Sequence, residues 1–158
     1  MLSPTPSGSP ASDSSDQWRI TVPLNVDLVS AERRVWSGEA NFVVARTLDG
    51  ELGILPGHIS LLGVLAEGFT VRITGGEAGE GIEAAAHGGF LSVSDDNVTI
   101  LTEIAELSTE IDVERARAAL ARATGADGGG DGGGDADGSN ESAAARARAR
   151  LAAAGQPV

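Results

Sequence analysis

His58 and His87 are the two histidines of a chain without cysteine. Imidazole and carboxylate are therefore its only ordinary groups for metal ligation or acid–base work near neutral pH. The histidines stand about 30 residues apart, each without a second ligand at helical or turn spacing, and cysteine-based zinc sites are impossible. No Gly-x-Ser-x-Gly elbow, P-loop, His-Glu-x-x-His or Gly-x-Gly-x-x-Gly occurs in a context that would make it work. His58 directly follows Gly57 and reads as a structural turn residue. The expectation is a chain with no catalytic residue and no metal site.

Composition narrows the class further. The 158 residues are 41% hydrophobic with five aromatics, and 23 acidic residues face 11 basic ones, all arginine, for a net charge of −12. Such a balance disfavours nucleic acid, whose phosphates need a basic face, and disfavours docking on anionic lipid. No apolar run approaches the roughly 20 residues that span a bilayer, so direct membrane insertion is not expected. Met1–Asp16 has neither arginine nor an apolar core, unlike a secretory signal or a transit peptide. The chain reads as soluble and intracellular, with membrane association only through a partner.

The elements that must place any site follow from periodicity. Residues 1–16 are Ser/Pro/Gly/Asp-rich and read as a disordered tail. Residues 17–108 carry short Val/Ile/Leu runs broken every eight to twelve residues by turn signals. Ile20, Val22, Leu24, Val26 and Leu28 alternate with polar residues, as do Phe69, Val71 and Ile73, which is the pattern of half-buried strands. Pro23 cannot donate to a ladder, which predicts an edge strand or a bulge there. Many short strands without helices between them predict an antiparallel sandwich or small barrel.

From Thr109 the chain turns rich in alanine and arginine. Asp112–Ala123 is built of strong helix formers, capped by Thr109 with Asp112 three residues on, or by Asp112 itself. Residues 125–140 form a Gly/Asp-rich flexible loop, and a second helix is predicted over Glu141–Ala154 within a last segment, 141–158. Its only large apolar residue is Leu151, so it should be weakly held and mobile. Arg146 and Arg150 share one face, while Arg148 points nearly opposite. The fold class is thus mainly β with a small α part: an N-terminal sandwich and a C-terminal helical hairpin.

One segment is more specific. Gly50-Glu51-Leu52-Gly53-Ile54-Leu55-Pro56-Gly57-His58, followed by Leu61-Leu62, closely resembles the signature of the ε subunits of F-type ATP synthases. Leu24–Gly38 resembles that family's opening strand pair, and Gly88–Val93 with Val98–Glu106 resembles its closing strands. The likeness covers roughly residues 20 to 123 in one order. Physically, the apolar run Leu52–Leu55 stops at Pro56, which fixes φ and lacks an N–H, and Gly57 permits the reversal. The resemblance implies that this turn presents Glu51, Gly57 and His58 to the c-ring or the stalk; the alternative for Glu51 is a solvated turn carboxylate.

A second match falls on the first predicted helix. Ile111-Asp112-Val113-Glu114-Arg115-Ala116 resembles the Ile/Leu-Asp-x-x-Arg-Ala pattern associated with ATP in bacterial members, with Glu106 and Arg122 also at matching positions. Helical spacing returns Arg115 and Arg122 to one face, where an arginine pair can hold a triphosphate and Asp112 can accept from a base or ribose. A capped, solvated helix is the competing reading. Register across the Gly/Asp loop leaves Arg146 and Arg150 unassigned. The resemblance implies a non-catalytic rotor subunit of a bacterial ATP synthase, peripheral on the cytoplasmic face of the cell membrane. Its partners would be the γ subunit, the c-ring and, through the helices, the catalytic α/β head. No cofactor is required, and ATP binding is expected to be weak. The competing functions are an ATP-sensing regulatory module and an unrelated ligand-binding sandwich.

Overall fold

The computed structural model describes residues 22–75, 81–125 and 136–158. Ten strands form two five-stranded sheets. They are β1 (Leu24–Ser30), β2 (Arg34–Ala40), β3 (Phe42–Thr47), β4 (Gly50–Ile54) and β5 (Leu61–Val64), then β6 (Phe69–Thr74), β7 (Gly81–His87), β8 (Phe90–Ser94), β9 (Asn97–Thr102) and β10 (Ile104–Leu107). The first sheet runs β2-β1-β9-β8-β5 and the second β10-β7-β6-β3-β4. Leu24, Val26 and Leu28 of β1 meet Val43, Ile54, Val71, Ile73, Leu91, Val98 and Ile100 in one buried core between them. Each such side chain contributes about 1.5–3 kcal/mol on burial.

Two expectations change. β1 is an interior strand, flanked by β2 and β9. Pro23 lies just before its first residue, where no ladder donor is needed, and the bulge falls instead between Leu28 and Val29. The sandwich is also not purely antiparallel, because β1 and β9 pair in parallel, Val26 opposite Val98 and Leu28 opposite Ile100. The chain reaches β9 only after crossing through the second sheet, so no hairpin imposes the antiparallel direction. Ile20, the 1–16 tail and the Gly79-Glu80 turn lie outside the described residues, as do residues 126–135 of the expected loop.

A 3-10 turn at Ser108–Glu110 leads into α1 (Val113–Ala123), and α2 spans Ala136–Ala153. Asp112 is the N-cap of α1, its Oδ1 accepting the Arg115 N–H at 3.0 Å. α2 begins five residues before the predicted Glu141, since propagation costs little once the packed half has nucleated. Its attachment is not confined to Leu151: Ala144, Ala147, Ala149 and Ala153 are buried as well. Ala149 and Ala153 pack on Ala85, which faces outward from β7, together with Ile111. Gly68 permits the approach, having φ +62° and no side chain; a Cβ there would lie 2.4 Å from the Ala145 carbonyl carbon. The helices pair as a hairpin laid on the β6–β7 face.

The core between the sheets draws only on residues before Ser108. A chain ending at Ser108 is therefore expected to unfold in one cooperative transition. Its loss should reflect the burial of Ile111 and Leu151, about 1.5–3 kcal/mol each, plus the smaller contribution of the docked alanines. Denaturant unfolding followed by circular dichroism checks this, and a non-cooperative profile would move the boundary.

Candidate functional site

The C-terminal elements form a cleft of about 320 Å³ between β10, α1 and α2, at the low end of ligand-pocket sizes. Glu106, Asp112, Arg115, Ala116 and Arg122 all line it, joined by Glu110, Ala119 and Arg150. Ile111 does not, because it turns to the alanine cluster against Ala85. Sequence spacing foresaw the α1 members but not Arg150, whose position depends on the docking of α2. Arg146, sharing its helix face, reaches outside the cleft and pairs with Glu67 at 3.5 Å.

Charge within the cleft is partly spent. Glu106 is ion-paired to Arg150. Glu110 takes two hydrogen bonds from Arg33 Nη2, at 2.7 and 2.6 Å. That bond, followed by the one from the Leu107 N–H, holds the Glu110 carboxyl below the usual range, and Glu110 in turn raises Arg33. Asp112 keeps one oxygen for its cap. Arg115 and Arg122 are exposed and have no ion-pair partner among the described residues. Two cations seven residues apart on one helix face, with Arg150 opposite, can grip a polyphosphate; Asp112 is the acceptor left for a base or ribose.

The Pro56–Gly57 turn lies elsewhere. Gly57 has φ +80°, and its N–H donates to Asp96 Oδ1 at 2.6 Å, which ties the turn to the β8–β9 hairpin. His58 donates its backbone N–H to the Leu55 carbonyl at 3.1 Å, and its Nδ1 lies 2.8 Å from the Ile59 oxygen. His58 is half-buried and serves the turn. Glu51 is not beside it. β4 spans roughly 13 Å at the usual rise per residue, and Glu51 sits at its start, opposite Arg46 and 3.9 Å from Arg72. The structure thus separates Glu51 from Gly57 and His58, which the linear motif had placed together.

A third feature has no chemical motif at all. On the outer face of the first sheet, Val64 stands opposite Phe90 and Phe90 opposite Leu101. Leu62 is 75% exposed and Phe90 53%, and Ile59, two residues before β5, is exposed as well. Strand alternation alone could have flagged these residues, since they are large apolar side chains on the face opposite the core.

Comparison with known proteins follows the sandwich. Residues 23–108 match the family model described as the ATP synthase delta/epsilon chain beta-sandwich domain. The chain is 54% identical over 101 residues to the ATP synthase epsilon chain of Thermobifida fusca, covering 63% of this chain and 74% of that one. Identity is also 54% over 102 residues with the epsilon chain of Rhodococcus erythropolis, covering 65% and 83%. Among solved structures, a chain of the Euglena gracilis mitochondrial ATP synthase (OSCP/F1/c-ring) matches with a TM-score of 0.68 at 25% identity, covering 93% of this chain and 90% of that chain. A chain of the Tetrahymena thermophila mitochondrial ATP synthase central stalk and c-ring matches at TM-score 0.52 and 17% identity, over 82% and 94%, a likeness of fold.

If the cleft holds nucleotide, ATP should bind with a dissociation constant on the order of millimolar, about −4 kcal/mol. Ordering a helix attached through one large side chain offsets most of the phosphate contacts. Arg115→Ala should abolish binding by removing a cation without an internal partner. NMR titration of the full chain decides it: saturable binding unaffected by Arg115→Ala would place the site elsewhere.

Proposed function

This chain belongs to the family of ATP synthase epsilon chains, and we propose that it joins the γ subunit to the c-ring in the rotor, so that proton flow reaches the catalytic head. It is a non-catalytic subunit. The observation that carries the proposed role is the apolar outer face of the first sheet. Leu62, Val64, Phe90 and Leu101 form one continuous patch, larger than single scattered side chains would make. A rotor partner with an apolar surface suits it, and the γ stalk is that partner. His58 and the exposed Ile59 lie just before β5, which carries Leu62 and Val64 of the patch, so we place the Pro56–Gly57 turn with the γ contact.

Glu51 belongs to a different contact. The β3–β4 hairpin exposes Leu48 (72%) beside Asp49, Gly50 and Glu51 at the other end of β4. A small turn with one apolar tip and flanking carboxylates suits polar loops, and we assign it to the c-ring. Among the described residues no helix is long and apolar enough to cross a membrane; we place the chain, through these partners, at the cytoplasmic face of the bacterial cell membrane.

A second reading rests on the α1–α2 cleft. Arg150 comes from α2 while Arg115 and Arg122 come from α1, so an anion held there favours the packed hairpin over one extended toward the α/β head. In that reading ATP keeps the hairpin down and hydrolysis unblocked, and nucleotide sensing accompanies the mechanical role. An unrelated ligand-binding sandwich is set aside by the family match.

Phe90→Asp tests the γ assignment, because it places a charge in the centre of the patch without touching the core. Affinity for γ is expected to fall more than about tenfold with the circular dichroism spectrum unchanged; undiminished co-purification would refute the face. Gly57→Val separates coupling from folding. Nothing lies within 4 Å of its added Cβ, so the cost is backbone strain of about 1–2 kcal/mol. Reconstituted complex should still hydrolyse ATP while proton pumping drops, and normal pumping would reduce the turn to punctuation.

A further inference from the structure

His87 ends β7 beneath α2. Ala84 and Ala86 point into the sandwich core while Ala85 meets the alanines of α2, and alternation puts His87 on the side of Ala85. The residue is 2% exposed, and neither Nδ1 nor Nε2 has a hydrogen-bond partner. Its backbone is pinned: the N–H donates to Thr102 Oγ1 at 3.2 Å, and the carbonyl accepts from that hydroxyl at 2.9 Å. The backbone that carries the ring therefore stays in place while β7 stays paired.

Cations face it from above. Arg150 and Arg146 of α2 act on the imidazole electrostatically, adding to burial, which is the larger cause of a pKa lowered to about 4. The nearby carboxylates are committed, Glu106 of β10 to Arg150 and Glu67 of the turn before β6 to Arg146. The Glu67 carboxylate lies next to Gly88, the residue after His87. Further along the sheet face are Glu83 on β7 and Arg72 on β6, the latter beside Glu51.

We propose that His87 is a proton-operated latch: neutral, it lets α2 lie on the β6–β7 face, and protonated, it drives α2 off that face. A charged imidazole there would be a third cation without solvent and without an uncommitted anion. Releasing α2 returns the ring to water and to its ordinary pKa near 6.5. Because the docked value is depressed, the preference for docking is complete above 6.5 and is lost as pH falls toward 4. Between pH 7.5 and 5.5 the docking constant should fall about tenfold. This reading needs no nucleotide, although Arg150 and Glu106 also line the cleft.

Hydrogen exchange of the full chain, read by NMR and corrected for intrinsic exchange, supplies the test. Protection of the α2 amides from Ala144 to Ala153 should drop about tenfold from pH 7.5 to 5.5, with the core strands unchanged. His87→Leu, of similar bulk and without a titrating group, should be flat over that range. An equal drop in His87→Leu overturns the latch and assigns the response to the Glu67 and Glu106 pairs. The wild-type ring titration decides the matter even where that variant folds poorly. A ring pKa well below 6.5, with α2 losing protection as it charges, supports the latch. A ring that titrates near 6.5 beneath a fully protected α2 refutes it.

Discussion

Ala85 and Gly68 let a helix with one large apolar side chain lie almost on the backbone of a sheet, and the C-terminal half of the molecule depends on that nearness. A Cβ at Gly68 would meet the Ala145 carbonyl; bulk at Ala85 would lift Ala149 and Ala153. Small residues on both sides replace hydrophobic area with close contact, and dispersion between packed backbones is individually slight but cumulative. The same approach buries His87, brings Arg150 onto Glu106 and closes the third side of the cleft. The sandwich core does not share the dependence, because its residues all precede Ser108.

Charge works differently here from what a net of −12 suggests. The eleven arginines are too few to balance the carboxylates, yet several are spent on long-range ties: Arg33 to Glu110, Arg146 to Glu67 and Arg150 to Glu106. Exposed pairs of this kind are worth about 0–1 kcal/mol, so they register the hairpin on the sandwich more than they hold it there. The half-buried Arg150–Glu106 pair is the more consequential, since it takes one cation and one anion from the cleft together. Arg115 and Arg122 have no ion-pair partner among the described residues.

The proposed rotor role requires stiffness between its contacts, and the sandwich supplies that. β4 carries the Glu51 hairpin at one end and the Pro56–Gly57 turn at the other, so the two proposed contacts are joined by a strand hydrogen-bonded to β3. The Asp96 bond to Gly57 ties that turn to the first sheet, which bears the apolar patch. The alanine-packed hairpin sits on the second sheet, away from the apolar patch of the first, and Arg148 and Ala149 of α2 share a shallow cleft with Glu51 of β4.

Periodicity in the sequence determined the class of fold, because a period of two in β1 and β6 has one solution that buries Val, Ile and Leu together. It determined α1 as well, since the cap at Asp112 and the spacing of Arg115 and Arg122 are local properties of one helix. The order of motifs from Leu24 to Glu106 was enough to indicate the family. Tertiary structure decided the rest. The parallel β1–β9 pair and the interior place of β1 depend on partners distant in sequence. Glu51 and His58 are neighbours in the motif but are held apart by an extended strand. Arg150 entered the cleft, and Ile111 left it, only when α2 docked. That docking was illegible in composition because alanine carries little hydrophobic signal, and its contribution appears only when another small residue stands opposite.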